Sequence, residues 1–201
     1  MTSHAAGAND VQAASSPNTL VNFGFWVYLM SDVIIFSMLF TMFVTVSDHY
    51  NGGPSGRDLF ELRDVFFETM ALLFSSITFG MALLSVHARR KSQVLLWLLI
   101  TFVFGALFVG LEVREFLGLV AEGAGPWSSA FLSAFFTLVG THGTHVTFGL
   151  IWIAVMIGQV AIKGVTAPVA SRLLRLALFW HFLDIVWIAV FSTVYLSGFM
   201  Q

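Results

Sequence analysis

Five apolar stretches dominate this 201-residue chain, at about 23–46, 65–86, 94–120, 130–162 and 173–199. Each reaches the roughly 20 residues that an α-helix needs to cross about 30 Å of hydrocarbon. Within a bilayer no water bonds the backbone, so its N–H and C=O groups must be satisfied inside the helix itself. The pattern predicts an all-α integral membrane protein with five transmembrane helices. Composition agrees, with 58% hydrophobic and 10% charged residues, where a soluble domain carries about 25% charged. The fourth stretch is longer than a span requires, which predicts tilt or projection beyond the bilayer.

Residues 1–21 are rich in Ala, Ser, Asn and Thr. No basic region leads into an apolar core there, so the segment reads as a mobile cytoplasmic tail rather than a secretory signal peptide. Residues 22–201 read as a single five-helix membrane domain. Turn signals fall in the connectors, as in Asn51-Gly52-Gly53-Pro54-Ser55-Gly56 and Gly123-Ala124-Gly125-Pro126. Basic residues gather at alternate connectors. Arg89, Arg90 and Lys91 lie in the second, and Lys163, Arg172 and Arg175 in or beside the fourth. The first has Arg57 and Arg63, and the third has none, with Arg114 nearby. Lysine and arginine are retained on the cytoplasmic side, which predicts a cytoplasmic N-terminus and a periplasmic C-terminus.

Several function classes drop out. There is no cysteine, so disulfides, thiolate metal sites and a cysteine nucleophile are excluded together. A net charge of −2 implies no nucleic-acid partner. No Gly-rich phosphate loop or EF-hand loop appears, and no Ser-His-Asp arrangement has a credible setting.

Ionisable side chains in hydrocarbon cost at least ~2.5–3.5 kcal/mol on insertion scales, so each needs a reason. Asp32 lies roughly nine residues into the first stretch, about 13 Å from its edge at ~1.5 Å per residue. It is either a proton-accepting or partner-facing carboxylate, or a hydrogen-bonded acid that locks a helix contact. His142 and His145 are three apart in the fourth stretch, as are His181 and Asp184 in the fifth, so each pair shares a helix face. Counting from opposite ends places both pairs near mid-membrane, which predicts one cluster across the helix interface. The residues alone leave two readings level. One is a haem or metal site, since His on facing helices is how membrane cytochromes hold haem. The other is an interhelical hydrogen-bond network. Glu68, Glu112, Arg114 and Glu115 lie toward helix ends on the outer side, and read as a snorkelling, solvated or paired charged cluster. Trp180 and Trp187 share a face bracketing His181 and Asp184, and read as core packing. Gly140, Gly143, Gly149 and Gly158 recur along the fourth helix and read as points of close helix approach.

Three motifs in order resemble subunit III of the haem-copper terminal oxidases. They are Phe23-Gly24-Phe25-Trp26-Val27-Tyr28-Leu29-Met30-Ser31-Asp32, Gly140-Thr141-His142-Gly143-Thr144-His145-Val146, and Trp180-His181-Phe182-Leu183-Asp184-Ile185-Val186-Trp187. Glu112 with Glu115 matches the E-x-x-E of that family. The five-helix form and Leu72-Leu73-Phe74-Ser75-Ser76-Ile77-Thr78 are most similar to the group of bo-type ubiquinol oxidases. The resemblance implies a subunit without catalytic residues, holding no haem, copper or other metal, beside a subunit I that holds haem and copper. It implies subunits I, II and IV and phospholipids as partners, the bacterial cytoplasmic (inner) membrane as location, and support of stability and proton uptake as role. It favours the network reading of Asp32, His142, His145, His181 and Asp184. Asp32 falls where mitochondrial-type relatives carry a membrane glutamate. Alternatives are a third subunit of a cytochrome c oxidase or nitric oxide reductase, a di-haem cytochrome b anchor, and a transporter.

Overall fold

The computed structural model describes residues 17–47 and 62–196. The 1–16 part of the expected tail, the Asn51–Gly56 turn motif, Arg57 and residues 197–199 of the fifth stretch lie outside them. Five α-helices follow in order: α1 Pro17–Val46, α2 Leu62–His87, α3 Lys91–Ala121, α4 Ala130–Lys163 and α5 Ala167–Val190, the last continuing as a π-helical turn over Phe191–Leu196. All five are long and apolar enough to cross a membrane.

Four of the five helices begin earlier than the apolar stretches suggest, while α4 begins at Ala130 as expected. Helix α1 opens at Pro17, not residue 23, and so takes in the end of the expected tail. Helix α5 opens at Ala167 with Pro168 in its first turn, not at 173. Proline suits a first turn, because its missing N–H would have no intrahelical partner there. Short first turns such as Pro17-Asn18-Thr19 and Ala167-Pro168-Val169 escape a reading based on long apolar runs.

Other ends have local causes. Residues Arg89 and Arg90 return their N–H groups to Val86 and Ser85 at 3.0 and 3.1 Å, closing α2 in a Schellman motif with Arg89 left-handed at φ 53°. The same motif ends α3, where Gly123 and Ala124 bond Val120 and Leu119 at 3.1 and 2.9 Å. Here the left-handed position, φ 80°, is a glycine, which meets no Cβ penalty. Helix α4 starts where Ser129 Oγ accepts the Leu132 N–H at 3.1 Å, an N-cap. At its other end, Lys91 Nζ donates to the Ala161 carbonyl at 2.7 Å. A cation there satisfies an orphan carbonyl and opposes the negative end of the helix dipole.

The structure divides within α1 into two units, one running to Ser37 and one from Met38. In the second unit α2 packs on α3, α3 on α4 and α4 on α5, while α2 also meets α5. The four helices thereby enclose one core. Phe43, at the end of α1, packs on Phe131 with ring centroids 5.6 Å apart. Large apolar side chains such as Leu117, Phe148, Ile151 and Ile185 stay exposed on the outer faces. Such faces suit a hydrocarbon solvent. The chain is a multi-pass membrane protein.

Candidate functional site

The core is organised around the two tryptophans of α5. Both are buried. Trp180 Nε1 donates to Ser75 Oγ of α2 at 3.0 Å, and Trp187 Nε1 to Thr69 Oγ1 at 3.1 Å. The hydroxyls themselves donate one turn back, Ser75 to Leu72 O and Thr69 to Val65 O. The indole of Trp180 lies against two backbones. A Cβ added at Gly105 of α3 would stand 2.9 Å from it, and one at Gly149 of α4 2.8 Å. Of the four glycines read as contact points in α4, Gly149 and Gly143 permit close approach and Gly140 lies in ordinary contact range of Phe116, while Gly158 faces open space.

The expected histidine–aspartate cluster occupies two settings. His181 Nδ1 lies 2.8 Å from Ser76 Oγ of α2 and 3.4 Å from Asp184 Oδ2. A Ser-His-Asp relay requires serine and carboxylate on opposite ring nitrogens. Here both meet the same one, so the trio ties α5 to α2 and is no nucleophile. Buried Asp184 Oδ1 has no hydrogen-bond partner among the described residues. His142 is fully buried, edge-on to Phe108 at 5.8 Å and tilted over Trp187 at 5.2 Å. His145, half-buried, directs Nδ1 to the Thr141 carbonyl of its own helix at 2.7 Å. Among the described residues no group of three or more His, Cys, Asp or Glu side chains is arranged to hold a metal ion.

The acidic residues correct an expectation. Glu68 and Glu112 do not reach solvent; they are 1% and 3% exposed. Helix α2 begins at Leu62 rather than beside Glu68, which places the acid well inside the helix. Glu112 precedes the end of α3 by about nine residues, roughly 13 Å. Arg114 is exposed and Glu115 half-buried, so the four do not share one solvated surface. The Glu112 carboxyl rests over Gly143 of α4, in the space a side chain there would fill. Tyr195 of the π turn donates its hydroxyl to Glu115 Oε2 at 3.1 Å, with Glu68 and Glu112 within electrostatic range of the same hydroxyl.

Tyr195 was not among the sequence candidates. The burial of Glu112 had a readable signal: Val94, Leu98, Thr101, Gly105, Phe108, Glu112 and Leu119 form one buried stripe at helical spacing. Glu68 belongs to a similar stripe with Val65, Leu72, Ser75, Phe79, Ala82 and Val86. In the first unit, Asp32 is 4% exposed and interacts with Tyr28 one turn earlier.

Comparison with known proteins accounts for these motifs together. The family model described as cytochrome c oxidase subunit III matches residues 9–199. A Pseudomonas aeruginosa protein named cytochrome bo(3) ubiquinol oxidase subunit 3 is 51% identical over 195 residues, covering 97% of this chain and 93% of that protein. The Pseudomonas putida protein of the same name is 54% identical over 175 residues, covering 87% and 84%. A Bacillus subtilis protein named quinol oxidase subunit 3 is 44% identical over 178 residues, covering 87% and 86%. With five membrane-crossing helices and the motifs above on α1, α4 and α5, the chain belongs to the cytochrome c oxidase subunit III family.

Proposed function

We propose that this chain is the non-catalytic third subunit of a proton-pumping bacterial quinol oxidase, which oxidises ubiquinol and reduces oxygen to water. The observation that carries the reading is the 51% identity, over nearly the whole of both chains, to a protein named as a subunit of such an enzyme. In this assignment the chain lies in the cytoplasmic membrane as one five-helix domain, N-terminus inside and C-terminus outside. It packs beside subunits I, II and IV and phospholipids, and haem and copper reside in subunit I. Its own contribution is a rigid helical scaffold. The buried indoles, the Ser76–His181–Asp184 bonds and the small residues beneath Trp180 support that role, because each fixes one helix against another.

A pull-down of the tagged chain in mild detergent, followed by mass spectrometry, tests the assignment. Recovery of a haem-copper subunit I and a quinol-type subunit II is the expected result. A subunit II with a copper or cytochrome c domain would move the donor from quinol to cytochrome c. Recovery of a molybdenum or iron–sulfur enzyme would replace the oxidase reading with the di-haem anchor.

The assignment carries a prediction for Asp32. As a structural acid in α1, its change to Asn should lower the yield of assembled complex and leave turnover per assembled complex unchanged. Slower proton-coupled turnover in a fully assembled complex would give Asp32 a proton-handling role instead.

A further inference from the structure

Glu112 has an unusual setting. It lies on the inward stripe of α3 with its carboxyl over Gly143, and its Oε2 is buried without a hydrogen-bond partner among the described residues. The neighbouring polar groups come from every element around it. Glu115 on the same helix accepts from the Tyr195 hydroxyl of the π turn, and Glu68 of α2 is buried within electrostatic range of that hydroxyl. On α4, His142 adjoins Gly143 and is enclosed by the Phe108 and Trp187 rings. The nearby cation, Arg114, is exposed.

An ionised carboxylate removed from water needs a paired charge or several donors, and without them it takes up a proton instead. Carboxylates gathered in one low-dielectric site repel one another, so they do not all ionise. A proton requires only one oxygen, and Glu112 Oε2 offers it.

We propose that Glu112 is a buried proton-binding site, its carboxyl held as the neutral acid within a group completed by Glu68, Glu115 and Tyr195. The site is about 21 residues along α3 from Lys91, roughly 32 Å from the basic end of the bundle. The bound proton is therefore stored toward the opposite end from the basic connectors. The site lies wholly within this chain and does not depend on which donor the complex uses.

Infrared spectroscopy of the purified complex at neutral pH tests it, with the chain carrying carboxyl-labelled ¹³C-glutamate. A protonated-carboxyl C=O band that shifts with the label and in D₂O, and disappears in Glu112→Gln, is the expected result. A labelled acid band that persists unchanged in Glu112→Gln, or no such band in the unsubstituted chain, would overturn the proposal. Where Glu112→Gln fails to assemble, Gly143→Ala decides: its added methyl group displaces the Glu112 carboxyl, so the band must shift. An unmoved band would place the acid elsewhere.

Discussion

Replacing Trp180 with alanine is expected to lower stability by about 3–5 kcal/mol, the range for emptying a large aromatic side chain from a packed core. The loss comes from packing far more than from the hydrogen bond. Ser75 keeps its own bond to the Leu72 carbonyl when the indole is gone, so no hydroxyl is stranded. The indole meanwhile lies against the backbones of Gly105 and Gly149. Neither glycine has a side chain to move into the void, so the cavity stays largely open. Trp180→Phe separates the two contributions: it keeps most of the ring contact and gives up one bond worth roughly 0.5–1.5 kcal/mol. Unfolding of the purified complex in graded denaturing detergent measures both. A Trp180→Ala loss no larger than that of Trp180→Phe would show that the bond, and not the packing, holds α5 in place.

Gly149→Ala should destabilise through the opposite fault. Its new Cβ would stand 2.8 Å from the indole and 3.3 Å from the Phe179 ring. Overpacking of this kind costs about 1–3 kcal/mol. Trp180 cannot swing aside without breaking its bond to Ser75, and Gly105 closes the other side. Gly158→Ala is the internal control. That position faces open space, so the substitution should be neutral or stabilise by roughly 0.5–1 kcal/mol, the helical preference of alanine over glycine. The clash also predicts coupling, since residues in contact are not additive. In a Trp180→Phe background the smaller ring leaves room, and Gly149→Ala should cost less than in the unsubstituted chain. Equal costs in both backgrounds would mean that the indole is not what the methyl group meets.

Much of this architecture could be read from residues 23–199, because bilayer thickness makes apolar length a direct measure of a span. Helix starts were harder. Pro17 and Ala167 open their helices ahead of the apolar runs, in residues whose hydropathy does not mark the start. The polar residues show a sharper division. Counting along helices gives depth, and on depth alone His142, His145, His181 and Asp184 belong together. Counting between two helices gives no rotation about the axis, and rotation separates them: His181 faces Ser76 on α2, while His142 faces Phe108 and Trp187. Glu68 and Glu112 are buried rather than solvated because each lies on an inward helical stripe, which charge near a helix end does not reveal. That stripe was in the sequence. Tyr195 was not legible, because its direction depends on a local widening of the last turn that composition does not announce.

That widening has a consequence of its own. An α-helix rotates successive side chains by about 100°, whereas a π turn closes over one residue more. The chain from Phe191 to Leu196 thus lags in phase behind a straight continuation of α5. Val194 and Tyr195 both end up buried, and the Tyr195 hydroxyl arrives at Glu115. Adding or removing one residue in this stretch ahead of Tyr195 would re-aim Tyr195, whereas a change of side chain leaves the phase intact. Length, more than chemical identity, is what these six residues have least freedom to vary.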